Sequence, residues 1–142
     1  MITLKERRLY QQLILSRSKN PRHFGITNPV DRTQKLTNPY CGDAIEVTLT
    51  IDKNSVIKDI KFTGSGCALC LASADLMIGT LKGKTINEVQ DIVKHFHRVM
   101  LSKAELDSSF NLLKAIEGAK RYPLKIKCVT LPWHTLKLAI QK

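Results

Sequence analysis

The stretch from Ala44 to Thr63 constrains the fold of this chain more than any other. Ile45, Val47, Leu49 and Ile51 alternate with Glu46, Thr48 and Thr50, and Asp52-Lys53-Asn54 supplies the chemistry of a tight turn. Val56 to Thr63 then returns as the hairpin partner. A period of two with one apolar side demands that this side be covered. The cover is supplied at once: Gly64-Ser65-Gly66 ends the second strand and opens a helix through Leu81, whose small residues Ala68, Ala72, Ser73 and Ala74 suit close packing on a sheet.

Further helices are predicted on both sides. Thr3 to Ser16 reads as one, with Thr3 and Glu6 spaced as a capping box and Leu9, Leu13 and Ile14 as a short apolar stripe. Thr85-Ile86-Asn87-Glu88 is a second capping box, starting a helix to about Leu101 with Ile86, Val89, Ile92, Val93, Phe96 and Met100 facing inward. Ser108 to Arg121 carries a helical stripe through Leu112, Leu113 and Ile116 that Pro123 stops, and Val129 to Ile140 is a last helix admitting Pro132 in its first turn. Asn20 to Gly42, broken by Pro21, Gly25, Pro29, Pro39 and Gly42, reads as a long connection. The plan is α+β, a small antiparallel sheet packed against several helices. At 142 residues and 43% hydrophobic, it is expected to form a single domain over residues 1–142.

No apolar run is long enough to cross a bilayer, and Lys5-Glu6-Arg7-Arg8 near the start lacks the apolar core of a signal peptide, so a cytoplasmic protein with no membrane partner is expected. In a reducing compartment four cysteines point to metal or sulfur chemistry rather than to two disulfides. A net charge of +11 raises nucleic acid as a rival partner. The cations are scattered, however, with no aromatic-interleaved platform and no helix-turn-helix pattern. A basic face for an acidic protein partner, or a solubilising charge, accounts for them more simply. Nucleic-acid binding stays a distant third reading.

Three cysteines stand in three separate segments, Asn38-Pro39-Tyr40-Cys41-Gly42-Asp43, Gly64-Ser65-Gly66-Cys67-Ala68 and Lys127-Cys128-Val129. Cys67 falls at a helix N-terminus, which attracts the negative charge a thiolate ligand carries. Cys128 is placed at the start of the last helix, beside the positive charges of Lys125 and Lys127. Gly42 permits the close approach that lets Asp43 turn onto the ion held by Cys41. Three thiolates and a carboxylate suit a four-coordinate zinc site, or an iron–sulfur cluster with one hard ligand. Their spacing matches no standard finger, and by itself leaves open three unrelated cysteines packed as small hydrophobes.

The local sequences go further. Asn38-Pro39-Tyr40-Cys41-Gly42-Asp43, Gly64-Ser65-Gly66-Cys67-Ala68-Leu69-Cys70-Leu71-Ala72-Ser73 and Lys125-Ile126-Lys127-Cys128 resemble, in the same order, three motifs of the IscU/NifU N-terminal family of iron–sulfur cluster assembly proteins. Leu9-Tyr10 to Gly25, with Asn20-Pro21-Arg22, is similar to that family's N-terminal segment. The resemblance implies a sheet of about three strands. The stretch between Cys67 and Cys128 is longer than in IscU-type members by about a helix, assigned to Ser102 to Arg121, and Lys127 stands where those members carry a histidine. Both features resemble the SufU-type branch, and histidine is not expected among the ligands.

That branch implies zinc held by Cys41, Asp43, Cys67 and Cys128, persulfide sulfur taken from a SufS-type cysteine desulfurase, and delivery toward downstream assembly or acceptor proteins. A desulfurase histidine would replace one zinc ligand and free Cys41 as sulfur acceptor, with Cys128 as the alternative acceptor. On this reading the chain is a zinc-dependent sulfurtransferase. The alternative is a non-enzymatic scaffold on which a [2Fe–2S] cluster, or iron, is assembled and passed on. Lys125 and Lys127 are the expected partner-docking residues. The chain departs from the family pattern in three places: Ser16-Arg17-Ser18 replaces Asp-His-Tyr, His23 replaces an asparagine, and Lys125 replaces an arginine.

Other candidates have plainer explanations. Cys70 makes a Cys-x-x-Cys with Cys67 but lies in an apolar helix, where a cysteine more often packs. His95 and His97 point to different sides of their helix and His23 and His134 are isolated, so surface or partner contact is expected of them. Trp133 is expected to anchor a core or an interface.

Overall fold

In the computed structural model, residues 3–39, 42–102 and 104–141 are described. Their framework is a three-stranded antiparallel sheet in the order β1-β2-β3, from β1 (Arg32–Asn38), β2 (Asp43–Ile51) and β3 (Ile57–Ser65). Helix α1 (Leu4–Lys19) precedes the sheet. The segment after it holds α2 (Ala68–Leu81), α3 (Ile86–Leu101), the single turn α4 (Lys114–Glu117) and α5 (Pro123–Ile140). This is the α+β arrangement the sequence predicts.

The hairpin forms as read. Ile45, Val47 and Leu49 of β2 and Ile57, Ile60 and Phe62 of β3 are fully buried, and they meet Cys70, Ala74, Leu76, Val93, Phe96, Trp133 and Leu136 of the covering helices. Asp52 organises the turn, its Oδ1 accepting from the Asn54 and Val56 amides at 2.8 and 3.0 Å. The Thr85–Glu88 capping box is complete. At α1 only half of the box forms: the Glu6 amide donates to Thr3 Oγ1 at 3.0 Å, while the Glu6 carboxylate accepts from the Thr3 hydroxyl. The helix itself runs beyond Ser16 to Lys19.

Three expectations are corrected. The connection from Asn20 to Gly42 contains strand β1, paired along its length with β2 from Arg32↔Leu49 to Asn38↔Asp43. Leu36 is the one apolar residue among its seven, so no hydrophobic alternation marks it. Ser108 to Arg121 is no continuous helix: a 3₁₀ turn (Asn111–Leu113), α4 and a second 3₁₀ turn (Gly118–Arg121) follow one another, and Leu112 is exposed while Leu113 and Ile116 are buried. Helix α5 starts at Pro123, where a proline's fixed φ and missing N–H suit a first turn, so Pro123 opens this helix instead of only ending the previous one. Pro132 consequently lies in the helix interior.

One polar contact chain locks the three covering helices. Trp133 stacks on Phe96 with ring centroids 3.9 Å apart, and its Nε1 donates to Ser73 Oγ at 3.1 Å. The Ser73 hydroxyl in turn donates to the Val129 carbonyl at 2.6 Å. Trp133 is thus the core anchor it was expected to be. These bonds fix α2, which carries Cys67 at its start, against the part of α5 that carries Cys128. No helix among the described residues is long and apolar enough to cross a membrane.

Candidate metal centre

Asp43 continues the inward register of Ile45, Val47 and Leu49 by one more step, so a carboxylate occupies the core-facing side at the start of β2 and is only 1% exposed. Its Oδ1 accepts the Cys67 amide at 3.0 Å. Its Oδ2 is buried and has no hydrogen-bond partner among the described residues. A buried, half-satisfied carboxylate is costly unless a cation or donor completes it.

Cys67 is the N-cap of α2, with φ −71° and ψ 164°, and its side chain makes no capping hydrogen bond. That leaves its exposed sulfur available at the end of the helix where amides and dipole favour an anion. Cys128 lies in the second turn of α5, not at its opening, because the helix begins earlier than expected; it is buried, with Sγ 3.9 Å from the Leu124 carbonyl. Ligand atoms of Asp43, Cys67 and Cys128 all lie within 4.8 Å of one another. One carboxylate oxygen and two sulfurs converging from a strand, a helix N-terminus and a second helix suit zinc or an iron–sulfur centre in donor type. The unpartnered Oδ2 shows that the set fits a cation. The fourth expected ligand, Cys41, lies outside the described residues.

Two glycines make the approach possible. A Cβ at Gly66 would stand 2.5 Å from Asp43 Oδ1, so any side chain there displaces the carboxylate. Gly64, at φ +151°, would place a Cβ 2.0 Å from the Ala44 carbonyl oxygen, across the β2–β3 ladder. The sequence marks Gly64-Ser65-Gly66 as the end of a strand and the opening of a helix; that Gly66 also leaves room for Asp43 emerges only from the fold.

Beside the centre is a shallow cleft of about 270 Å³ whose lining includes Asn38, Lys127, Thr130 and His134. Asn38 is the register partner of Asp43, and Lys127 immediately precedes Cys128. Lys125 and Lys127 are exposed, and Lys125 Nζ lies 5.5 Å from the centroid of the Tyr122 ring. Tyr122 and Leu124 are themselves exposed, Leu124 by 85%. The Cys128 edge of the site is therefore collared by apolar and basic groups.

The remaining candidates fall elsewhere. Cys70 is fully buried among core residues and does not belong to the converging group. His134 is not isolated: it stacks on His97 with centroids 4.3 Å apart, and His97 Nε2 is buried without a hydrogen-bond partner among the described residues. Burial, then the facing His134 and Lys137, push the His97 pKa down to about 4. His95 Nε2 accepts the Asp107 amide at 3.1 Å. Arg17, in the segment that departs from the family pattern, is buried and pairs with the fully buried Asp75 at 2.7 Å, whose other oxygen accepts the His23 amide.

A family model described as the NifU-like N terminal domain matches residues 9–142. The chain belongs to this family. It is 38% identical over 136 residues to the zinc-dependent sulfurtransferase SufU of Bacillus subtilis (strain 168), covering 94% of this chain and 90% of that protein. It is 32% identical to the iron–sulfur cluster assembly scaffold protein IscU of Streptococcus pyogenes serotype M1, covering 100% of this chain and 89% of the other. Among solved structures, the iron–sulfur cluster assembly scaffold protein for the SUF system from Fervidobacterium islandicum AW-1 superposes with a TM-score of 0.84 at 31% identity, covering 94% of this chain and 97% of that one. This NifU-like chain thus shares its fold with relatives named for both a sulfurtransferase and a scaffold.

Proposed function

We propose that the protein is a zinc-holding sulfur acceptor of iron–sulfur cluster assembly, working in the cytoplasm as one domain, with Cys41, Asp43, Cys67 and Cys128 as its metal ligands. The observation that carries the reading is the convergence of Asp43, Cys67 and Cys128 around a buried carboxylate oxygen without a partner. Similarity to the zinc-dependent sulfurtransferase SufU of B. subtilis supports zinc as the metal. Zinc supplies a redox-inert Lewis acid that keeps thiols deprotonated.

The chain's own groups do the rest. Asp43 is held by the Cys67 amide, so its carboxylate and the Cys67 sulfur are set as one unit. The partner is a cysteine desulfurase of the SufS type. The Cys41 thiolate attacks the terminal sulfur of the desulfurase's persulfide; a new sulfur–sulfur bond forms on Cys41 and the desulfurase cysteine leaves as a thiolate. Cys128 is the alternative acceptor, although its burial limits access to it. The exposed collar of Tyr122, Leu124, Lys125 and Lys127, with the cleft beside it, receives the desulfurase, and the sulfur passes on to downstream assembly or acceptor proteins. Lysine at residue 125 keeps charge for this contact without a bidentate fork.

Incubating the protein with persulfidated desulfurase and measuring the mass of each cysteine peptide tests the assignment. Sulfur is expected on Cys41 in the native chain and nowhere in Cys41→Ala; transfer to Cys41→Ala at the native rate would contradict it. The scaffold reading rests on the same donor set and on the similarity to scaffold proteins of S. pyogenes and F. islandicum. It would be favoured by iron and sulfide in protein isolated without air.

A further inference from the structure

Among the described residues Cys70 does not belong to the converging group, yet it is placed one helical turn from Cys67, which does. Cys67 is the N-cap of α2 and Cys70 its third residue, so the Cys-x-x-Cys spans the first turn. Cys67 is exposed and Cys70 is fully buried. In helical geometry residues three apart have Cα atoms about 5 Å from one another, inside the roughly 4.4–6.8 Å that a disulfide requires. An exposed attacking sulfur with a buried sulfur behind it divides the labour of thiol–disulfide exchange: a reagent meets the first and only the first can meet the second.

We propose that Cys67 and Cys70 are a redox-active dithiol whose oxidation to an intrahelical disulfide removes Cys67 from the metal-binding set. The oxidant is a low-molecular-weight disulfide. The Cys67 thiolate attacks one of its sulfurs, the reagent's sulfur–sulfur bond breaks, and a mixed disulfide forms as the first thiolate leaves and is protonated. The Cys70 thiol gives up its proton as it attacks the Cys67 sulfur, and the expelled second thiolate takes up a proton to leave as a thiol. The two cysteines lose two electrons and two protons together, and the reagent becomes two thiols. Cys67 then has no thiolate to donate, and Asp43 on β2 and Cys128 on α5 lose the ligand that stands with them. Only this loss of metal rests on the zinc reading; the dithiol does not.

The test treats the full chain, zinc-loaded and metal-free, with oxidised glutathione, and follows zinc release and disulfide-linked peptides. The metal-free chain is expected to lose two hydrogens and yield a peptide linking Cys67 to Cys70. The zinc-loaded chain is expected to form the same link more slowly, releasing one zinc per link, and reduction restores binding. Cys70→Ala is expected to stop at a glutathione adduct on Cys67. A link from Cys67 to Cys128 or Cys41, a stable adduct on native Cys67, or full zinc retention by the linked chain would overturn the proposal. A chain that links Cys67 to Cys70 but never bound zinc would uphold the dithiol and remove the metal reading, so the two failures are separable.

Discussion

Gly66 separates holding the ligands from merely possessing them. Every proposed ligand survives in Gly66→Ala, but the new methyl meets the Asp43 carboxylate at 2.5 Å and must push it from its place. Supporting positions of this kind typically change metal affinity by about 10–100-fold, and a loss in that range is expected in a competition titration against a chelator. An unchanged affinity would mean that Asp43 is not a ligand. What made the candidate site legible at this scale was the resemblance of three short local motifs to a family pattern; residue type and spacing alone left Cys67 and Cys128 open as small packed hydrophobes. The role of Gly66 was not legible, since it depends on a carboxylate from another strand arriving beside it.

At the scale of elements, α1 is fastened to α2 by the buried Arg17–Asp75 pair. Removing one partner of such a pair leaves a buried charge uncompensated and typically costs about 3–5 kcal/mol. Arg17→Met is therefore expected to lower the denaturant midpoint strongly, and a loss below about 1 kcal/mol would show that the pair is solvated. The sequence marked Arg17 only as a departure from a family pattern; its buried partner on another helix is a tertiary fact.

The same limit explains the misread elements. Strand β1 is recruited by pairing with β2 despite one apolar residue, and the 108–121 stripe is broken into single turns that still bury Leu113 and Ile116. The hairpin and α3 were read correctly because their own periodicity and caps suffice.

The packing of α3 on α5 carries a pH dependence. His97 takes a proton near 6.5 in the unfolded chain but only near 4 in the folded one, because burial and the neighbouring His134 and Lys137 oppose its charge. The unfolded chain therefore binds more protons between those values. Stability is highest above pH 6.5 and falls as the pH drops toward 4, by at most about 2 kcal/mol once solvent screening of a half-buried ring is allowed for. His97→Gln should flatten this slope in urea titrations between pH 4 and 7; an unaltered slope would place the titration elsewhere.

For the whole molecule, 23 basic against 12 acidic residues give a field that acts on partners more than on folding. If the proposed desulfurase partner presents an acidic face to this chain, association is expected to slow by about tenfold or more between low and physiological salt, read from stopped-flow association rates. A salt-independent rate would leave the apolar collar of Tyr122 and Leu124 as the sole docking determinant.

The most direct test is metal content. Elemental analysis and an optical spectrum of anaerobically purified protein, native and Cys67→Ala/Cys128→Ala, are predicted to give about one zinc per native chain, no visible bands, and little metal in the double variant. Native protein without stoichiometric metal, or a double variant that keeps it, would contradict a metal centre at Asp43, Cys67 and Cys128.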